Sequence, residues 1–143
     1  MSRTTGDINV VMADDHEIFR DGFRLTLSKT SDIHLVAEAS NGVELIELVE
    51  KHRPHVVITD IKMPRMDGIE ATRAIRASKK LKKHNVKVLV LSMYDNYEYV
   101  SESVRSGASG YVLKNAPSRE IIAAIEAIAS GGTFYSAEIA QRV

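Results

Sequence analysis

The chain has 143 residues, 44% of them hydrophobic, which suits one compact domain with its own core. Nineteen Lys and Arg balance nineteen Asp and Glu, so the net charge is zero and a domain built mainly to grip nucleic acid is disfavoured. With no cysteine there are no disulfides and no thiolate metal sites. The opening stretch "MSRTTGDINVVMADD" lacks the basic-then-apolar pattern of a signal peptide, and no apolar run approaches a membrane span, so a cytoplasmic protein is expected.

Apolar runs of strand length recur along the chain. They are "INVVMA" (Ile8–Ala13), "IHLVAEA" (Ile33–Ala39), "HVVITD" (55–60), "VKVLVLS" (86–92) and "GYVLK" (110–114). Several lack clean alternation, as strands covered on both faces do. A segment with helical spacing follows each. "HEIFRDGFRLTLS" stripes Phe19, Phe23 and Leu27. "NGVELIELVEKH" stripes Leu45, Ile46 and Val49, and Pro54 ends it. "DGIEATRAIRAS" offers Ile69, Thr72 and Ile75; "YEYVSESVRSG" offers Val100 and Val104, with Gly107 as its stop. In "PSREIIAAIEAIASGG", Ile121, Ile122, Ile125, Ile128 and Ala129 share one face, Pro117 fits the first turn, and Gly131-Gly132 closes it. Were Ile121 or Ile128 exposed, that face would instead mark a dimer surface. Strand then helix, five times, predicts an α/β fold: a doubly wound parallel sheet with helices on both faces. The tail "TFYSAEIAQRV" (133–143) reads as a linker or the start of a further domain, leaving residues 1–132 as the domain proper.

In such a sheet, ligands bind beyond the carboxyl ends of the strands. The first strand ends in Asp14-Asp15, the third in Asp60, the fourth in Ser92 and the fifth in Lys114. Three carboxylates drawn to one edge repel one another unless a cation joins them. All-oxygen ligands suit a hard ion such as Mg²⁺. With Lys114 and the Ser92 hydroxyl, the pocket can receive a phosphoryl group, and a carboxylate oxygen can attack phosphorus. Pro64 and Asp67-Gly68 hold the loop beyond Asp60 open. Simpler readings stand beside these. Asp14 or Asp15 alone can cap a helix. Asp67-Gly68 reads as a turn and helix start, and His16 as a helix-start residue at the rim, because Mg²⁺ prefers oxygen. The basic run "SKKLKKHNVK" (78–87) reads as a solvated loop away from the site.

The motifs "ADDHEIFRDG", "TDIKMPRMDG", "LVLSMYDNYEYV" and "GASGYVLKNA", in this order, resemble the receiver domain of bacterial two-component response regulators. "DDHEIFRDG", "GYVLKNA" and "GGTFYSAEIAQRV" are similar to its NarL/LuxR-type branch. The resemblance implies a flavodoxin-like sheet of five strands in the order 2-1-3-4-5. It implies Asp60 as phosphoacceptor, with Mg²⁺ held by Asp15, Asp60 and the Lys62 backbone carbonyl, and by Asp14 mainly through water. Ser92 and Lys114 would contact the phosphoryl oxygens, and Ser92 and Tyr111 would form the switch. A sensor histidine kinase would be the donor and a homodimer a further expectation; DNA would be met only through a C-terminal helix-turn-helix domain that this chain lacks. Asn115, not proline, follows Lys114, so the family's cis peptide there is not carried over. Lys62 and Tyr94, each two positions past a site residue, are expected to tune how fast water reaches the acyl phosphate.

Three alternatives keep their place. A turnover phosphatase of the haloacid-dehalogenase type would carry an aspartate two positions after the nucleophile, where Lys62 stands. A flavin-binding module would need a hydroxyl-rich loop after the first strand; that place is acidic, and "RTTG" (3–6) precedes the strand. A receiver that signals without phosphorylation is the last.

Overall fold

The computed structural model describes residues 6–141. Most of the "RTTG" stretch and the last two residues of the tail lie outside the described residues. The elements are β1 (Ile8–Ala13), α1 (Glu17–Ser28), β2 (Ile33–Ala39), α2 (Gly42–His52), β3 (Val56–Thr59), α3 (Gly68–Ala77), a 3-10 turn (Lys79–Leu81), β4 (Lys87–Ser92), α4 (Tyr97–Arg105), β5 (Gly110–Leu113), α5 (Ser118–Ala129), β6 (Phe134–Tyr135) and α6 (Ala137–Ala140). All strand pairs are parallel, in the order β2-β1-β3-β4-β5-β6. The expected five-stranded sheet is therefore corrected to six. The sixth strand comes from residues 134–135, too short to carry a periodic signal.

Successive strand residues face opposite sides, and each side has its own helices. Val10, Met12, Ile58, Leu89 and Leu91 pack under α1 and α5, with Phe23, Leu27, Ile121, Ile125 and Ile128. Val11, Ala13, Val57 and Val88 pack under α2 and α3, with Leu45, Val49, Ala71 and Ile75. A third cluster on α4 and the end of the sheet gathers Ile61, Ile69, Val90, Val100, Tyr111 and Ile139. Ile121 and Ile128 are buried, so the α5 stripe is core and not a dimer face. Val104 is not core: it is exposed, and Ser103 takes the buried position, its hydroxyl donating to the Tyr99 carbonyl.

The ends of the helices follow their sequence. The Asn41 side chain accepts the Glu44 N–H at the start of α2, and Arg53 turns left-handed (φ 48°) ahead of Pro54. Asp67 and Glu70 form a reciprocal capping box on α3, so Asp67 is structural. Pro117 stands one place earlier than expected, as the residue preceding α5.

Gly110 makes the sixth strand possible. A Cβ there would lie 2.4 Å from the Phe134 carbonyl oxygen and 2.8 Å from Ile128 Cδ1. Gly110→Ala is expected to cost about 1–3 kcal/mol in denaturant unfolding, and to speed amide exchange at Phe134 and Ser136 more than in β1.

Candidate functional site: an acid cluster closed by one lysine

The rim is assembled by strand ends. The Asp14 N–H donates to the Ala39 carbonyl (3.0 Å), and the Asp60 N–H to the Ala13 carbonyl (3.0 Å), which sets the acids of β1 and β3 side by side. The Lys114 N–H donates to the Ser92 carbonyl (2.8 Å), extending β5 along β4 by one residue. Each reactive side chain thus stands just past a buried apolar strand.

Beyond Asp60 the chain is tied down. Gly68 N–H donates to the Ile61 carbonyl (2.7 Å) and Gly42 N–H to the Met66 carbonyl (3.0 Å). The Thr59 hydroxyl donates to the Asp60 carbonyl (2.8 Å). A Cβ on Gly68 would fall 1.9 Å from that same carbonyl oxygen, so this close approach demands glycine. Asp67-Gly68 acts on the chemistry only by fixing this loop.

Asp60 is 6% exposed. Its Oδ1 accepts the Ile61 N–H (2.7 Å) and its Oδ2 accepts from Lys114 Nζ (2.9 Å). Lys114 Nζ also lies 2.6 Å from Asp14 Oδ2 and 4.5 Å from the Phe19 ring centroid. Asp14 Oδ2 is buried, and the Lys114 ammonium is its close charged neighbour. Asp14 Oδ1 accepts the His16 N–H (2.9 Å). His16 Nδ1 lies 3.0 Å from that oxygen and 3.2 Å from Asp15 Oδ1. His16, not an aspartate, is the residue preceding α1, so neither acid serves as that helix's cap.

Burial drives the Asp60 pKa up, with the Asp14 charge adding to it; Lys114 and the Ile61 N–H pull against this without winning. Burial works to lower the Lys114 pKa, but Asp14 and Asp60 outweigh it and the net shift is upward. The ammonium is therefore the fixed charge of the site.

Asp14, Asp15, His16 and Asp60 each place a ligand atom within 4.8 Å of the others. Three carboxylates face one ammonium, so negative charge is in excess, and this oxygen-rich donor set fits a hard divalent cation. His16 stands at the start of α1 with its side chain 64% exposed, the helix-start rim residue expected, and its ring rests against both acids.

Ser92 is fully buried at the end of β4, and its Oγ accepts the Tyr94 N–H (3.0 Å). Tyr111 is also fully buried; its hydroxyl donates to the Tyr94 carbonyl (2.6 Å), and burial pushes its pKa up to about 12. Both expected switch residues thus meet on the backbone of Tyr94, which the sequence singled out only as a flank of the site. The Lys62 side chain reaches over the Tyr94 and Tyr99 rings, 4.8 and 5.7 Å from their centroids.

The family model of the response regulator receiver domain matches residues 10–126. This chain belongs to that family. It is 39% identical over 128 residues to the transcriptional regulatory protein DegU of Brevibacillus brevis, an alignment covering 89% of this chain and 52% of DegU. Among solved structures it matches a LuxR-family two-component response regulator from Aurantimonas sp. SI85-9A1 at 33% identity, with a TM-score of 0.87 over 96% of this chain and 95% of that one. It also matches the isolated receiver domain of RcsB from Salmonella enterica serovar Typhimurium, determined with the phosphomimetic BeF₃⁻, at 28% identity, with a TM-score of 0.83 over 96% and 99% of the two chains. The relatives are thus of the NarL/LuxR type, and the receiver spans about half the length of DegU. Among the described residues no helix is long and apolar enough to cross a membrane.

With chelator present, Lys114→Met leaves two buried acids without a cation and is expected to cost about 3–5 kcal/mol at neutral pH. Asp60→Asn works the other way. The folded pKa of Asp60 lies above the ordinary 3.8, so its ionised form weakens the fold above that pKa. The variant should be more stable than wild type near pH 7, and the advantage should fade as pH falls toward 3.8, as followed by urea unfolding across pH.

Proposed function

We propose that this receiver is a phosphorylation-dependent switch in which Asp60 takes a phosphoryl group from a histidine kinase. The observation that carries the reading is the Lys114 ammonium, 2.9 Å from Asp60 Oδ2 and 2.6 Å from Asp14 Oδ2 in a buried acid cluster. An Asp60 carboxylate oxygen attacks phosphorus, the bond from phosphorus to the donor imidazole nitrogen breaks, and the imidazole leaves as the product base. Lys114 holds the developing charge on the phosphoryl oxygens and favours the ionised form of Asp60 against the burial that opposes it. The loop fixed by Gly68 keeps the carboxylate aimed outward. Asp14, Asp15, Asp60 and the Lys62 carbonyl would hold Mg²⁺, Asp14 mainly through water. The ion supplies neutralisation of phosphoryl and carboxylate charge when bound. Ser92 gives its hydroxyl hydrogen to a phosphoryl oxygen, and Tyr111 responds through Tyr94.

The role is a switch and not a turnover enzyme, because Lys62 stands where a dehalogenase-type phosphatase needs an acid. Ile18 and Met93, both largely exposed, flank a groove beside Lys114 and offer apolar surface to a protein donor. In a longer parent, the expected break after residue 132 moves past α6, because β6 joins the sheet and Ile139 its core; a DNA-binding output domain would follow, with dimerisation as the coupling step. DegU is called a transcriptional regulatory protein, which supports that output. A cytoplasmic location follows from the same reading.

Incubation with acetyl phosphate and Mg²⁺ followed by intact mass should show one phosphoryl group added to wild type and none to Asp60→Asn. Equal gain in the variant would move the acceptor elsewhere. Replacing Lys62 and Tyr94 together should change the lifetime of the adduct; an unchanged lifetime removes them from that role.

A further inference from the structure

The segment after α5 reaches back to the switch. Ile139 of α6 is fully buried, in the same cluster as Tyr111, Val100, Ile61 and Ile69. Ser136, between β6 and α6, grips β5 around Tyr111. Its N–H donates to the Tyr111 carbonyl (3.1 Å), and its Oγ accepts the Leu113 N–H (3.3 Å) and donates to Glu120 Oε2 (3.0 Å). The Phe134 N–H donates to the Ser109 carbonyl (3.2 Å), on the other side of Tyr111. Residues 134–140 therefore form a strap across the strand that carries the switch tyrosine.

From Tyr111 a short relay leads to the phosphoryl site. The Tyr111 hydroxyl holds the Tyr94 carbonyl at 2.6 Å, and the Tyr94 N–H holds Ser92 Oγ at 3.0 Å. A hydroxyl whose oxygen accepts from the backbone keeps its own hydrogen for another acceptor. Ser92 is thereby presented as a donor. The ring of Tyr111 can stay in this inward place only while apolar surface closes over it, and Ile139 belongs to that closure.

We propose that Ile139 is a positioning residue for the phosphoryl switch: by keeping Tyr111 inside, the strap holds Tyr94 and the Ser92 hydroxyl ready for the phosphoryl group. This rests on the reading of Asp60 as phosphoacceptor with Ser92 as its partner. Docking of the strap and occupancy of the acid site favour the same conformation. By linkage each strengthens the other by the same factor. A residue that merely filled space would show no such reciprocity.

The test uses the full chain with Mg²⁺ and beryllofluoride as the phosphoryl mimic. The amides of Ser136, Ile139 and Ala140 donate to the Tyr111 and Ser136 carbonyls and report strap docking. Adding the mimic should slow their exchange about fivefold or more. Unchanged or faster exchange overturns the proposal. Ile139→Ala should weaken beryllofluoride affinity by a matching factor, and Ile139→Val should restore most of it. Unaltered affinity in a folded Ile139→Ala protein also overturns it. If that variant fails to fold, exchange in wild type decides alone. Acetyl phosphate labelling separates the two levels. Wild type that takes no phosphoryl group on Asp60 removes the underlying reading and this inference with it. Normal labelling with an indifferent strap removes the inference only.

Discussion

One ammonium between two buried carboxylates is the constraint on which the rest of this molecule depends. Asp14 and Asp60 are almost wholly out of water. Ionised acids in such a place are costly unless a cation lies close. Lys114 is that cation, and it can stand there only because β5 lies in parallel register beside β4, which lies beside β3. The sheet order is thus more than a way to bury valines. It is the device that brings three sequence-distant charges to a common rim.

The same constraint explains what the site can do. Burial raises the Asp60 pKa, while Lys114 opposes that rise. The result is a carboxylate held in place between two opposing influences, desolvation and a close ammonium. Excess negative charge remains, since Asp14, Asp15 and Asp60 share the rim with one ammonium. A divalent ion would complete what the protein leaves incomplete. Ser92 and Tyr111, the proposed switch pair, lie one step further out, joined through the backbone of Tyr94.

Much of this was legible in the sequence, for a physical reason. Strands buried on both faces are written as unbroken apolar runs, and a polar or charged residue closing such a run marks the sheet edge. Asp14, Asp60, Ser92 and Lys114 could all be placed that way. The sixth strand could not. Phe134 and Tyr135 are two half-buried residues with no periodicity, and their pairing depends on the missing side chain of Gly110. Val104 misled because helical spacing marks a stripe, while packing chose its neighbour Ser103, whose hydroxyl finds a partner within its own helix. The burial of Tyr111 and Ile139 depends on tertiary closure, which local pattern does not encode.

The order of the strands has a consequence for how the protein comes into being. Asp14 and Asp60 leave the ribosome well before Lys114, which follows Asp60 by 54 residues. A nascent sheet lacking its fifth strand would press two desolvated acids together with no counter-ion. The two acids gain their shared cation only once β5 has taken its place beside β4, so closing the sheet and balancing the charge at its rim are a single event.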